Sequence, residues 1–194
     1  MQKKIYLIIA VVFISCATYL GKSDKLINYV DPFIGSGGHG HVFVGANVPF
    51  GGVQVGPTNF NKGWDWSSSY HHTDSIVKGF CHINVSGTGM SDLGELTIMP
   101  ATGKLMTGAG TQNNHMAGYS SLYYKEKEHA SVGYYKVHLE RYDIDVELTA
   151  TERVGLHKYR FPKSEQSRVI IDLGEGSADR PTETYLKKIN DTLF

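Results

Sequence analysis

Tyr135-Lys136-Val137-His138-Leu139-Glu140 alternates apolar and polar residues, and Val146-Glu147-Leu148-Thr149-Ala150-Thr151 repeats the pattern shortly afterwards. His157-Lys158-Tyr159-Arg160-Phe161 and Val169-Ile170-Ile171-Asp172-Leu173 carry it further. A period of two sends successive side chains to opposite faces of a strand. Such runs, recurring at roughly ten-residue spacing, predict an all-β, antiparallel β-sandwich. Arg141-Tyr142-Asp143 and Phe161-Pro162-Lys163-Ser164 read as turns between the runs. Upstream, residues 28–100 are rich in glycine, histidine and aromatics and predict loops and short strands, and residues 101–131 are polar and poorly patterned. Downstream, Thr182 to Ile189 reads as a strand and Asn190-Asp191 as a turn. Thr192-Leu193-Phe194 then opens another apolar run, which reads as a chain cut short inside its domain.

Bulk properties narrow the function classes. Nineteen Lys and Arg balance nineteen Asp and Glu, so no basic footprint for nucleic acid exists. A hydrophobic fraction of 41% over 194 residues is enough for a packed core.

The first residues read as a targeting segment. Lys3 and Lys4 precede an apolar run from Ile5 to Ile14, which is too short to span a bilayer. Ser15-Cys16 follows directly and resembles a bacterial lipoprotein processing site. The expected organisation is a lipoprotein-type signal peptide over 1–16, a tether over 17–27 and a folded domain over 28–194. Lipidation at Cys16 would anchor an exported chain on a periplasmic or cell-surface membrane without a spanning helix. Ordinary signal cleavage and an uncleaved anchor are the competing readings. With Cys16 lipidated or removed, Cys81 is left alone, so no internal disulfide framework is expected. Cys81 itself reads as a buried small residue, with a reactive thiol as the minor alternative.

Three clusters carry candidate chemistry. The first is Asp31-Pro32-Phe33-Ile34-Gly35-Ser36-Gly37-Gly38-His39-Gly40-His41. Its glycines let backbone approach a ligand, and His39 or His41 can donate hydrogen bonds. The spacing fits neither a dinucleotide fingerprint nor a phosphate loop. The second is Gly63-Trp64-Asp65-Trp66-Ser67-Ser68-Ser69-Tyr70-His71-His72-Thr73-Asp74. Sugars offer C–H faces to aromatic rings and hydroxyls to carboxylates, and Trp-Asp-Trp supplies both. Read as a strand, this unit would place Trp64 and Trp66 on one face and Asp65 on the other. The third, His82 through Glu95, does not fit a serine-nucleophile elbow and reads as a polar loop lining the same site. Two further readings stay open: a transition-metal site among His39, His41, His71, His72 and His82, and an acid/base pair among Asp65, Asp74, Asp92 and Glu95.

These clusters, in this order, resemble the N-terminal domain of glycoside hydrolase family 92, the exo-acting α-mannosidases. The matching text is Tyr29 to His41, Pro49-Phe50-Gly51-Gly52-Val53-Gln54, Gly63 to Ser67, Gly79 to Gly89, Asp92-Leu93-Gly94-Glu95 and Ala150 to Pro162. The resemblance implies a β-sandwich of the galactose-mutarotase type packed on a larger (α/α)6 barrel that this chain lacks. It implies inverting, calcium-dependent hydrolysis of terminal α-linked mannose from host or fungal glycans. The general acid, the general base and most calcium ligands would come from the barrel. On that reading no residue here is catalytic or metal-binding. The substrate-contact residues expected are Gly38, His39, Gly40, Trp64, Asp65 and His71, with the choice between Trp64 and Trp66 left open. Three departures from the family's usual text are Val44 for a proline, Ser67 for a cysteine, and Ser69-Tyr70-His71-His72-Thr73-Asp74 for Gly-Tyr-His-Tyr-Ser-Asp. The expected role is a substrate-site-shaping, carbohydrate-binding lobe, inactive by itself. A stand-alone carbohydrate-binding module and a non-functional fragment are the alternatives.

Overall fold

The structure is a computed structural model that describes residues 25–87, 96–174 and 181–190. The signal segment 1–16, the lipidation site Cys16, most of the tether, Asp92 and Glu95 lie outside the described residues. The chain divides after Val30 into two units. The described part of the first holds a single 3-10 turn, Leu26–Tyr29. Everything below concerns the second.

Among the described residues ten strands follow one another: β1 (Gly56–Thr58), β2 (Ile76–Val77), β3 (Gly79–Cys81), β4 (Thr97–Ala101), β5 (Ser121–Leu122), β6 (Glu128–Ser131), β7 (Tyr134–Leu139), β8 (Ile144–Ala150), β9 (Gly155–Arg160) and β10 (Arg168–Asp172). They make two four-stranded sheets, ordered β1-β3-β4-β10 and β6-β7-β8-β9, and a small β2-β5 pair. All pairings are antiparallel. This is the predicted sandwich.

The second sheet follows directly from its sequence. In β7, Tyr135, Val137 and Leu139 are buried while their neighbours are not; in β8, Ile144, Val146 and Leu148 are buried. Register places Tyr135 opposite Leu148, Val137 opposite Val146 and Leu139 opposite Ile144. One face thus becomes continuous hydrocarbon, each large side chain contributing about 1.5–3 kcal/mol by burial. Phe80, Met99 and Ala101 from the first sheet join the same core, with Val44, Val55, Tyr70, Tyr119 and Tyr123 from the connecting segments.

Three sequence expectations change. Trp64–Trp66 is a 3-10 turn, not a strand, so its two tryptophans do not share a face. In β10 it is Ile170 that packs on the core, while Val169 and Ile171 remain 48% and 49% exposed. Residues 182–189 form no strand, because no ladder partner meets them among the described residues, and Tyr185, Leu186 and Ile189 are exposed.

Candidate functional site

Two loops and one turn build the site. The glycine loop reverses sharply at Gly35 and Gly38, whose φ values are 83° and 56°. Gly40 crosses so close beneath Gly35 that a Cβ there would lie 2.0 Å from the Gly35 carbonyl oxygen. Only glycine permits that crossing, and it sets His39 and His41 on either side. At Gly38 a Cβ would meet nothing within 4 Å, so its backbone is open to a ligand.

The Trp64–Trp66 turn meets this loop. His39 Nδ1 donates to Asp65 Oδ1 at 2.6 Å, and His41 Nε2 lies 3.6 Å from the same oxygen. The hydrogen bond from His39 holds the Asp65 carboxyl below its ordinary range, so the group is a carboxylate at neutral pH. Both imidazoles lie against Trp64, with ring centroids 5.7 Å and 4.1 Å away, the nearer one edge-on. Trp64 still presents 59% of its surface outward. The result is an indole flanked by a fixed carboxylate and a 78%-exposed imidazole.

Trp66 is spent otherwise. It stacks on His71 at 4.2 Å and donates its indole N–H to Asp74 at 2.6 Å, while Lys62 pairs with the other Asp74 oxygen at 2.6 Å. His71 is buried, and its Nε2 reaches the Gly38 carbonyl at 3.3 Å. The structure therefore gathers Gly38, His39, Trp64 and Asp65 at one surface. His71 lies buried beneath it as a support, and Gly40, itself exposed, carries the crossing that places His39.

Three further side chains hold the face in place, a role that the sequence had assigned to none of them. Ser67 contacts His41 Nδ1 through its hydroxyl at 3.2 Å. Asn59 accepts from the His71 backbone N–H at 2.8 Å and donates to the Ile76 carbonyl at 2.8 Å. Asp74 fixes Trp66. Nothing in the pattern around Asn59 marks it, since its role comes from a fold contact. The third cluster does connect to the first. Gly87 N–H donates to the His41 carbonyl at 2.7 Å, and Phe43 N–H donates to Ser86 Oγ at 3.0 Å. Asn84 and Ser86 line a cavity of about 450 Å³ with Phe43, Asn47 and Gln54.

Other expectations resolve against chemistry. Cys81 is buried, donates to Asn84 Oδ1 at 3.1 Å and meets Thr58 Oγ1 at 2.8 Å, and burial pushes its thiol up, which argues against a reactive role. Among the described residues no three His, Cys, Asp or Glu side chains converge to hold a metal ion. The transition-metal reading has no support among the described residues. Asp74, one proposed acid/base partner, is buried and already committed to Lys62 and Trp66. No described helix is long and apolar enough to cross a membrane.

Comparison with known proteins gives the family and the fold. The profile of the glycosyl hydrolase family 92 N-terminal domain matches residues 29–193. A family GH92 α-mannosidase from Bacteroides thetaiotaomicron, solved in complex with mannoimidazole, superimposes with a TM-score of 0.75 and 37% identity, over 78% of this chain and 20% of its own. An inverting GH92 mannosidase from the same bacterium superimposes at 0.63 with 24% identity over 77% of this chain and 20% of its own, a likeness of fold. An uncharacterized secreted glycosidase of Arthroderma benhamiae is 26% identical over 148 residues, which is 71% of this chain and 17% of that protein. The chain thus spans about a fifth of the length of the relatives it matches.

Proposed function

We propose, for a chain that belongs to the glycosyl hydrolase family 92 N-terminal domain, that it binds terminal α-linked mannose as the substrate-site-shaping lobe of an exported α-mannosidase. The observation that carries this reading is the exposed Trp64 indole with the Asp65 carboxylate fixed beside it by His39. An indole face takes the C–H side of a pyranose, and a carboxylate with an unused oxygen accepts hydroxyl protons. The backbone at Gly38 and the exposed His39 ring border the same surface. Trp64, not Trp66, is the sugar-facing tryptophan on this reading, because Trp66 is committed to His71 and Asp74. Likeness to an α-mannosidase solved with mannoimidazole supports mannose as the sugar.

In this reading, inverting chemistry and the calcium expected of the family belong to groups outside the described residues. The chain by itself then binds mannose but does not hydrolyse mannosides. The test is calorimetric titration of the chain with methyl α-D-mannopyranoside, beside an assay of 4-nitrophenyl α-D-mannopyranoside hydrolysis. Trp64→Ala should weaken binding about tenfold or more, and Asp65→Asn about fivefold, from one lost stacking face and one lost charged acceptor. Unchanged affinity in Trp64→Ala removes the proposed site. Hydrolysis by the chain alone removes the division of labour.

A further inference from the structure

One polar group outside the proposed sugar face bridges the two sheets. His82 follows β3 in the first sheet, and His157 stands on β9, the edge strand of the second. Their Nε2 atoms are 3.1 Å apart, and their rings lie at 4.7 Å. The approach depends on Gly155, where a Cβ would stand 2.6 Å from His82 Cδ2. His157 Nδ1 meets the Tyr159 hydroxyl at 2.6 Å. His82 Nδ1 is buried and has no hydrogen-bond partner among the described residues.

A contact between two imidazole nitrogens accommodates one proton. With Nε2–H on one ring and a lone pair on the other, it is a hydrogen bond. With Nε2–H on both, two donors face each other and the contact opens. Burial, then the neighbouring His82, holds His157 down at about 4, and burial lowers His82 too. Among the described residues, Tyr159 on β9 is the titratable group in hydrogen-bond contact with the pair. Lys158 and Arg160 occupy the alternate, exposed positions of β9. Leu148 lies opposite His157 on β8, and Val53 approaches Gly155 from the segment before β1. No carboxylate in these contacts offsets a second proton.

The pair also sits at the root of the loop that reaches the sugar face. The His82 carbonyl accepts from Gln54 N–H at 2.8 Å. Five residues on, Gly87 N–H donates to the His41 carbonyl, and Ser86 receives Phe43 N–H. His41 is the ring against which Trp64 rests edge-on.

We propose that His82 and His157 form a one-proton clasp between the sheets, and that His157 is thereby a positioning residue for the Trp64–Asp65 face. The proposal rests on the carbohydrate-binding reading above and deepens it: acid opens the clasp, frees the root of the 82–87 loop and loosens the support of His41. Sugar affinity then falls with pH for a reason outside the sugar site.

The experiment uses the full chain, titrated with methyl α-D-mannopyranoside between pH 7.5 and 4.5, with tryptophan fluorescence recorded in parallel. His157→Ala should bind about fivefold more weakly at neutral pH, the worth of one hydrogen bond. His157→Gln keeps a donor and an acceptor for His82 but cannot titrate. It should bind within about twofold of the parent at neutral pH and lose affinity less steeply on acidification. The sugar-face residues are the same in all three proteins, so their own titration cancels in the comparison. Parental affinity in His157→Ala, or an acid profile in His157→Gln that superimposes on the parent, overturns the clasp. If the parent does not bind the sugar at any pH, the carbohydrate reading fails by itself. The clasp is then judged on the acid-induced change in tryptophan fluorescence, which His157→Gln must diminish.

Discussion

The exposed His39 ring holds Asp65 below its ordinary carboxylate range, and a glycine-built loop sets the backbone from which that ring reaches. That loop exists because residues 35 and 40 carry no Cβ. Elsewhere the chain accepts left-handed backbone at residues with side chains. Ser69 adopts φ 70° at the position where the family resemblance leads one to expect glycine, and it is buried with its carbonyl accepting from Asn59 N–H at 2.7 Å. The fold keeps the glycine geometry there and tolerates the serine. Phe50 adopts φ 60° with its side chain fully exposed, so strain is present without compensating burial. An aromatic residue in that region costs about 1–2 kcal/mol, and asparagine occupies it more readily. Phe50→Asn should therefore stabilise the chain by about 0.5–1 kcal/mol, seen as a higher urea midpoint with unchanged slope. A lower midpoint would mean that the ring has packing partners in solution.

At the scale of elements, a buried polar knot ties β6 and β7 to the segment leading into His71. Glu128, at the start of β6, accepts from Tyr135 at 2.7 Å, from Tyr70 at 3.0 Å and from Lys125 at 3.0 Å. Lys125 also reaches the hydroxyls of Tyr70 at 2.7 Å and Tyr123 at 3.0 Å. Burial pulls the Lys125 amine down, against the upward pull of Glu128. Removing one partner leaves the other charge buried, so Glu128→Gln should cost about 3 kcal/mol or more. Lys125→Met with Glu128→Gln should cost clearly less than the sum of the two single changes, as a double-mutant cycle in urea will read. Additive losses would mean that the pair is not coupled. None of this knot was visible in the sequence, because its members lie up to 65 positions apart (Tyr70 to Tyr135) and follow no period. β7 and β8 were legible, since only one of their faces is apolar. β10 was not fully so: Val169, Ile170 and Ile171 are apolar on both faces, and alternation cannot choose between them. The Trp-Asp-Trp unit showed its chemistry but not its shape, because three residues are too few to carry a period. The site was thus readable as residue types, whereas the supporting roles of Ser67, Asn59 and Asp74 became visible only through contacts.

At the scale of the whole molecule, two sheets meet at a pair of neutral imidazoles, and this makes the acid response of the fold distinctive. The ordinary histidine value is 6.5, and His157 is held at about 4 in the folded chain. Between these values the unfolded chain binds more protons than the folded one, so stability rises with pH in that window. Read downward, stability is complete above about 6.5, falls as pH drops toward 4, and stops falling from this source once both states are protonated. The full shift is worth about 3 kcal/mol, and partial solvent access reduces this to on the order of 2 kcal/mol. The carboxylates act elsewhere on the scale. His39 holds Asp65 low, His138 holds Asp145 low, and Lys158 holds Glu147 low, so their contributions are lost only as pH falls below the ordinary carboxylate range. Acid destabilisation should therefore come in two parts, an imidazole part above about pH 4.5 and a carboxylate part below it. Urea unfolding of the parent should show a falling midpoint between pH 7 and 4.5. In His157→Gln that fall should be shallower, with the steeper loss below pH 4 retained. Equal slopes in the two proteins across the upper window would show that the imidazole pair does not govern how the sandwich responds to acid.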